Sequence, residues 1–159
     1  MKAFRRSRHQ FVAVFEPIEA KTLTSLASQL TALIEERPIR ASDPAVARLF
    51  PDAYPDDSEA SAEFRRFTAD DLATRKASNA DRIVADLAEA VGARSATTVK
   101  VGAQAAQAWV RSLTDIRLTI AARLGITTDE DFGSKDPMLL ELYDWLGFVQ
   151  SSLVDCLDG

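Results

Sequence analysis

The stretch from Trp109 to Leu124 constrains the fold more than any other part of the chain. Trp109, Leu113, Ile116, Ile120 and Leu124 recur at helical spacing, while Val110, Leu118, Ala121 and Ala122 occupy the other faces. A helix that is apolar around most of its circumference has to be surrounded by other elements. The pattern therefore predicts a central helix over about 98–124, closed by Gly125, inside a helical bundle.

Its neighbours follow from similar signals. Leu23, Leu26, Leu30 and Leu33 define one face of a helix over about 17–36, which Pro38 ends. Asp43-Pro44 and Asp136-Pro137 each read as a capping aspartate followed by proline in the first helical turn, opening a short helix and the final helix to about Leu157. Leu142, Leu146, Val149, Leu153 and Cys156 form the core stripe of the latter. Between them, Pro51–Asp57 reads as a turn segment and Ser58–Phe67 as a short helix. Thr68 then starts a long one, with Asp71 completing a capping-box-like pattern. Ala73, Ala77, Ala80, Val84, Leu87 and Val91 form its stripe, and Gly92 its end. Three alanines in one stripe imply a closely approaching neighbour.

Ahead of the helices, residues 4–7 and 10–15 read as two short strands around a Ser7-Arg8-His9 turn. The predicted architecture is mainly α, one domain over 1–159, with a β-hairpin at 4–15 and a helical bundle at 17–157. A chain of 159 residues, 47% of them hydrophobic, supports one such core, and no apolar run approaches the roughly 20 residues of a membrane helix. The single cysteine excludes an internal disulfide, so a cytoplasmic protein is expected.

Enzyme motifs are few. No glycine-rich phosphate loop, GxSxG elbow, HExxH or CxxC occurs, and no cofactor or metal is implied. His9, the one histidine, reads as a surface residue of a basic turn. Asp52, Asp56, Asp57, Glu59 and Glu63 match no calcium loop, and Asp129-Glu130-Asp131-Phe132-Gly133 places its glycine one position too early for an EF-hand.

Two charged groups and a thiol remain as candidate sites. Lys2, Arg5, Arg6 and Arg8 concentrate cations at the N-terminus, fitting either a solvated hairpin edge or a contact to nucleic acid or a partner. The net charge of −5 argues against broad charge-driven binding but leaves room for a local patch. Arg111, Asp115 and Arg117 fall on the enclosed central helix, so an ion-pair network with Glu63, Arg65 and Asp71 is expected. Cys156 is the redox candidate, and its stripe position makes it a packed, slow-reacting thiol.

Several segments in order carry a family likeness. They are Asp43-Pro44-Ala45-Val46-Ala47-Arg48-Leu49-Phe50-Pro51-Asp52-Ala53-Tyr54, Glu63-Phe64-Arg65-Arg66-Phe67-Thr68 with Asp71-Leu72, Trp109 with Asp115-Ile116-Arg117-Leu118, Arg123-Leu124-Gly125-Ile126, and Tyr143-Asp144-Trp145-Leu146 with Gln150. From Phe4 to Leu157 the chain resembles the actinobacterial family first catalogued as a domain of unknown function and since named for AosR, an oxidative-stress transcriptional regulator. The resemblance implies a cytoplasmic protein that acts with an alternative sigma factor to raise cysteine-biosynthesis transcription. It also implies a sensing intrachain disulfide, which this chain cannot form: Cys156 stands alone, and Ser152 occupies the position that a CxxxC pair would need.

The expectation is a non-enzymatic regulator acting through protein contacts, with a sigma factor or RNA polymerase as partner by resemblance, DNA as a further possibility, and no membrane. The alternative is a small-molecule- or metal-binding domain, or an enzyme, built on Asp57, Glu63, Arg65 and Arg117.

Overall fold

The computed structural model describes residues 1–51, 58–126 and 136–159, excluding the side chains of 58–62, 64 and 65. Strands β1 (Lys2–Ser7) and β2 (Gln10–Phe15) form the expected hairpin, followed by helices α1 (Pro17–Glu35), α2 (Pro44–Leu49) and α3 (Ser58–Gly92). Strand β3 (Thr97–Gly102) then precedes helices α4 (Ala103–Leu124) and α5 (Pro137–Asp158). The mainly helical class with an N-terminal hairpin is as the sequence predicts.

Two elements differ. The segment Thr97–Gly102 is a third strand, not the first turns of the central helix. Thr97, Thr98, Val99 and Val101 are β-branched, and Val99 and Val101 are buried while Thr98 and Lys100 are exposed. That two-residue alternation outweighs the helical reading. It pairs antiparallel with β2, giving the order β1-β2-β3. The second difference is that α3 runs unbroken through Thr68, because no proline or glycine lies between Ser58 and Gly92 to stop it. Its buried face, Ala73, Ala80, Ile83, Leu87 and Ala90, is also turned slightly from the expected stripe, leaving Val84 and Val91 half-buried.

The sheet packs on the helices through an aromatic cluster and along the edge of β1. Trp109 of α4 is fully buried, and the rings of Phe4 and Phe15 stand 5.5 and 6.1 Å from its own. Phe4 and Phe15 meet edge-on at 6.2 Å. α5 covers the free edge of β1, where the Phe4 amide donates to Ser152 Oγ at 3.3 Å. α1 and α3 lie side by side, and the alanines Ala20, Ala27, Ala73 and Ala80 let their backbones approach. α4 sits between α3 and α5 as the central helix, and Gly125 at φ 76 ends it in the left-handed conformation.

Asp43 joins α2 to α4 with one side chain. Its Oδ1 accepts from the Ala45 amide at 2.9 Å as the helix cap, and both carboxylate oxygens accept from Arg123, at 2.7 and 2.9 Å. The Arg123 guanidinium, aided by the Ala45 amide, lowers the Asp43 pKa from 3.8 to about 2. Replacing Asp43 with Ala is expected to cost about 1–2 kcal/mol at neutral pH, read by urea unfolding. A depressed carboxylate contributes stability above its ordinary value of 3.8 and loses it as pH falls towards about 2, so the two proteins should converge in acid. A difference that persists unchanged at that pH would contradict this account.

Candidate functional site

Among the described residues the expected ion-pair network is not assembled. Asp115 is buried on α4, but its partner is Lys76 of α3, at 2.7 Å. Burial raises the Asp115 pKa, and the bonded ammonium works against that rise. Arg111 is exposed on the same helix, and Asp71 pairs with Arg75 one turn along α3, both at the surface. Glu63 is exposed, and the Arg65 side chain lies outside the described residues. The reason lies in the α3 register: Lys76 is three residues after Ala73 and four before Ala80, hence on the buried face, whereas Glu63 and Asp71 are not.

Among the described residues the partners of Arg117 are a ring and an amide, not a carboxylate. Its guanidinium carbon lies 4.3 Å from the centre of the Tyr143 ring, and Nη1 donates to Gln150 Oε1 at 3.2 Å. Gln150 in turn donates to the Val110 carbonyl and to Thr114 Oγ1, which ties α5 to α4. Gly147 makes room for this arrangement: a Cβ there would stand 3.2 Å from Arg117 Nη2. Arg117 Nε is buried with no hydrogen-bond partner among the described residues, as are the hydroxyls of Ser112 and Thr24. Trp109 Nε1 donates to Asp86 at 2.8 Å, and Asp86 also pairs with Arg82. Sequence reasoning missed Lys76, Asp86, Tyr143 and Gln150. Only Lys76 carried a signal, its place on the helical period.

The N-terminal cations are divided by the strand. Lys2, Arg5 and Arg8 are exposed. Arg6 turns the other way, lying over the Phe11 ring and donating to the Cys156 carbonyl at 2.8 Å. Cys156 is half-buried against the core, and desolvation raises its thiol pKa, with Asp155 adding to the rise and Arg6 opposing it. His9 is exposed in the hairpin turn. Asp52, Asp56 and Asp57, the Glu59 side chain and the Asp129–Gly133 segment lie outside the described residues. Among the described residues no group of three or more His, Cys, Asp or Glu is placed to hold a metal.

Large apolar side chains reach the surface in several places: Ile39 and Phe67 are 88% and 82% exposed, and a further set lies on α1 and α5. Ile18 of α1 is 69% exposed and Met138 of α5 is 80% exposed. They line a shallow groove of about 330 Å³ with Leu142 and Trp145, rimmed by Glu19 and Glu141. Phe148, 46% exposed, lies one turn beyond Trp145 on α5. A second groove, of about 360 Å³, lies between α1, α4 and α5 over Leu30, Leu33, Ile116 and Ile120.

Removing one partner of the Lys76–Asp115 pair leaves a buried charge. Lys76→Met is expected to destabilise the fold by about 2–4 kcal/mol, and adding Asp115→Leu should recover most of that loss. Chemical denaturation of the single and double variants measures both, and a double variant no better than the single would refute the expectation.

Among the described residues no helix is long and apolar enough to cross a membrane. No curated protein and no solved structure matches the chain. A family model does, over residues 1–157, and by that match the chain belongs to the family described as Domain of unknown function (DUF2017).

Proposed function

We propose that this chain is a non-enzymatic cytoplasmic regulator that works by protein contact, presenting the α1–α5 apolar surface to a component of the transcription machinery. The observation that carries the reading is the grouping on α1 and α5 of Ile18, Met138 and Phe148, three of the five large apolar side chains exposed among the described residues, together with the half-buried Trp145. A solvent-facing apolar group rimmed by polar residues marks an interaction site. Glu141 on the rim suits an amphipathic partner helix with a basic flank, while Glu19 is held by the Met1 ammonium and the Glu16 amide. The likeness to the AosR family supports a sigma factor or RNA polymerase as that partner, and a role under oxidative stress.

A disulfide within the chain is excluded by the lone Cys156, so any redox response would pass through another group or another chain. The second groove favours a different reading, a small apolar ligand, because its size and leucine–isoleucine lining suit one. Its two guanidiniums, Arg40 and Arg123, are already held by Glu36 and Asp43.

Affinity capture from cells with and without peroxide tests the proposal. The unaltered protein should recover a sigma factor or polymerase. The double variant Ile18→Glu/Met138→Glu, altered only at exposed positions, should lose it while keeping its stability within about 0.5 kcal/mol. Equal recovery by both proteins, or recovery of neither component by the unaltered one, would refute the proposal.

A further inference from the structure

The third strand changes the meaning of the N-terminal cations. In the sheet register Arg5 stands opposite Val12 and Val12 opposite Lys100, while Lys2 stands opposite Val14 and Val14 opposite Thr98. Directly paired residues share a face, and the β1 register shifts between Lys2 and Arg5, so Lys2, Arg5 and Lys100 project from the same side of the sheet. The other side carries Phe11, Ala13, Phe15, Val99 and Val101, all in the core. Val12 confirms the division: it is only 6% exposed yet stands apart from the core cluster. Its cover fits the aliphatic stems of Arg5 and Lys100 on either side.

The charge on this face is unopposed. Between Met1 and Phe15 and between Ala93 and Gly102 the chain has six Lys and Arg and no Asp or Glu, so all 24 acidic residues lie elsewhere. Among the described residues, Lys2, Arg5, Arg8 and Lys100 take part in no ion pair. Arg5 and Lys100 are two strands apart and Lys2 and Arg5 three residues apart, both roughly 10 Å. Arg8 is exposed in the adjoining hairpin turn at φ 57, a left-handed position where glycine or asparagine would cost less.

We infer that this outer sheet face binds the phosphate backbone of double-stranded DNA through Lys2, Arg5, Arg8 and Lys100. Arginine and lysine without carboxylate partners suit phosphate oxygens. No aromatic side chain projects from this face, so it lacks the stacking platform that single strands use. Nor does it offer the exposed apolar anchor that a protein partner would need. The inference is independent of the α1–α5 surface.

Fluorescence anisotropy of a short labelled DNA duplex of mixed sequence, titrated with the full chain over a range of salt, tests it. Four phosphate contacts predict a log–log salt slope of about −3 to −4, equivalent to a loss on the order of a hundredfold between 50 and 200 mM salt. Lys100→Gln should weaken binding several-fold and reduce the slope by about 1. Lys21→Gln, which removes an equal charge from the exposed side of α1, should leave both unchanged. Three results would overturn the inference: no binding at low salt, the same loss in both variants, or tighter binding to a single-stranded oligonucleotide or polyglutamate than to the duplex.

Discussion

The packing of Phe4 and Phe15 on Trp109 is the contact on which the rest of the molecule depends. Three strands alone would be marginal, since a sheet this small needs one face buried against something else. The buried indole of α4 supplies that surface, and its Nε1–H is satisfied by Asp86 of α3. One residue thus brings β1, β2, α3 and α4 together without leaving a polar atom stranded. The inner sheet face and the helices then form one continuous core, and α5 closes it by bonding to the edge of β1.

With the inner face committed to the core, the outer sheet face is left to solvent, and the charge distribution follows that division. Lys2, Arg5 and Lys100 project outwards, while no carboxylate belongs to the three strands. Net charge alone conceals this. A chain at −5 carries a sheet with no acidic residue at all, because charge is organised by strand alternation and register. The helical side has a different character: near the start of α1 and along α5 it offers apolar side chains between glutamates. The two surfaces suit two kinds of contact, one electrostatic and one apolar.

Much of the helical architecture was legible because its ends are chemically marked. Asp43-Pro44, Asp136-Pro137 and Gly125 bound α2, α5 and α4 where expected, since capping is a local property of a few residues. The third strand was harder to read. Thr97–Val101 runs straight into the helix at Ala103 with only Gly102 between them, and its identity depends on pairing with β2, which no local pattern records. The same gap hid Lys100, whose significance arises from lying two strands away from Arg5. Among the described residues the expected ion-pair network is absent for a related reason. Arg117 was read as needing a carboxylate, whereas a tyrosine ring, a glutamine and the space left by Gly147 accommodate it. Asp115 did need a buried partner, and its partner proved to be Lys76, set by the rotation of α3.

The account stands or falls on whether sheet and bundle share one core. Native-state hydrogen exchange measures this directly. Backbone amides in the middle of β2 and β3 should open with the same free energy as those of α4 around Leu113 and Ile116, at the level of global unfolding. Sheet amides exchanging through a much cheaper opening, with α4 still protected, would show that the hairpin and third strand are an appendage and that Trp109 does not unite the fold.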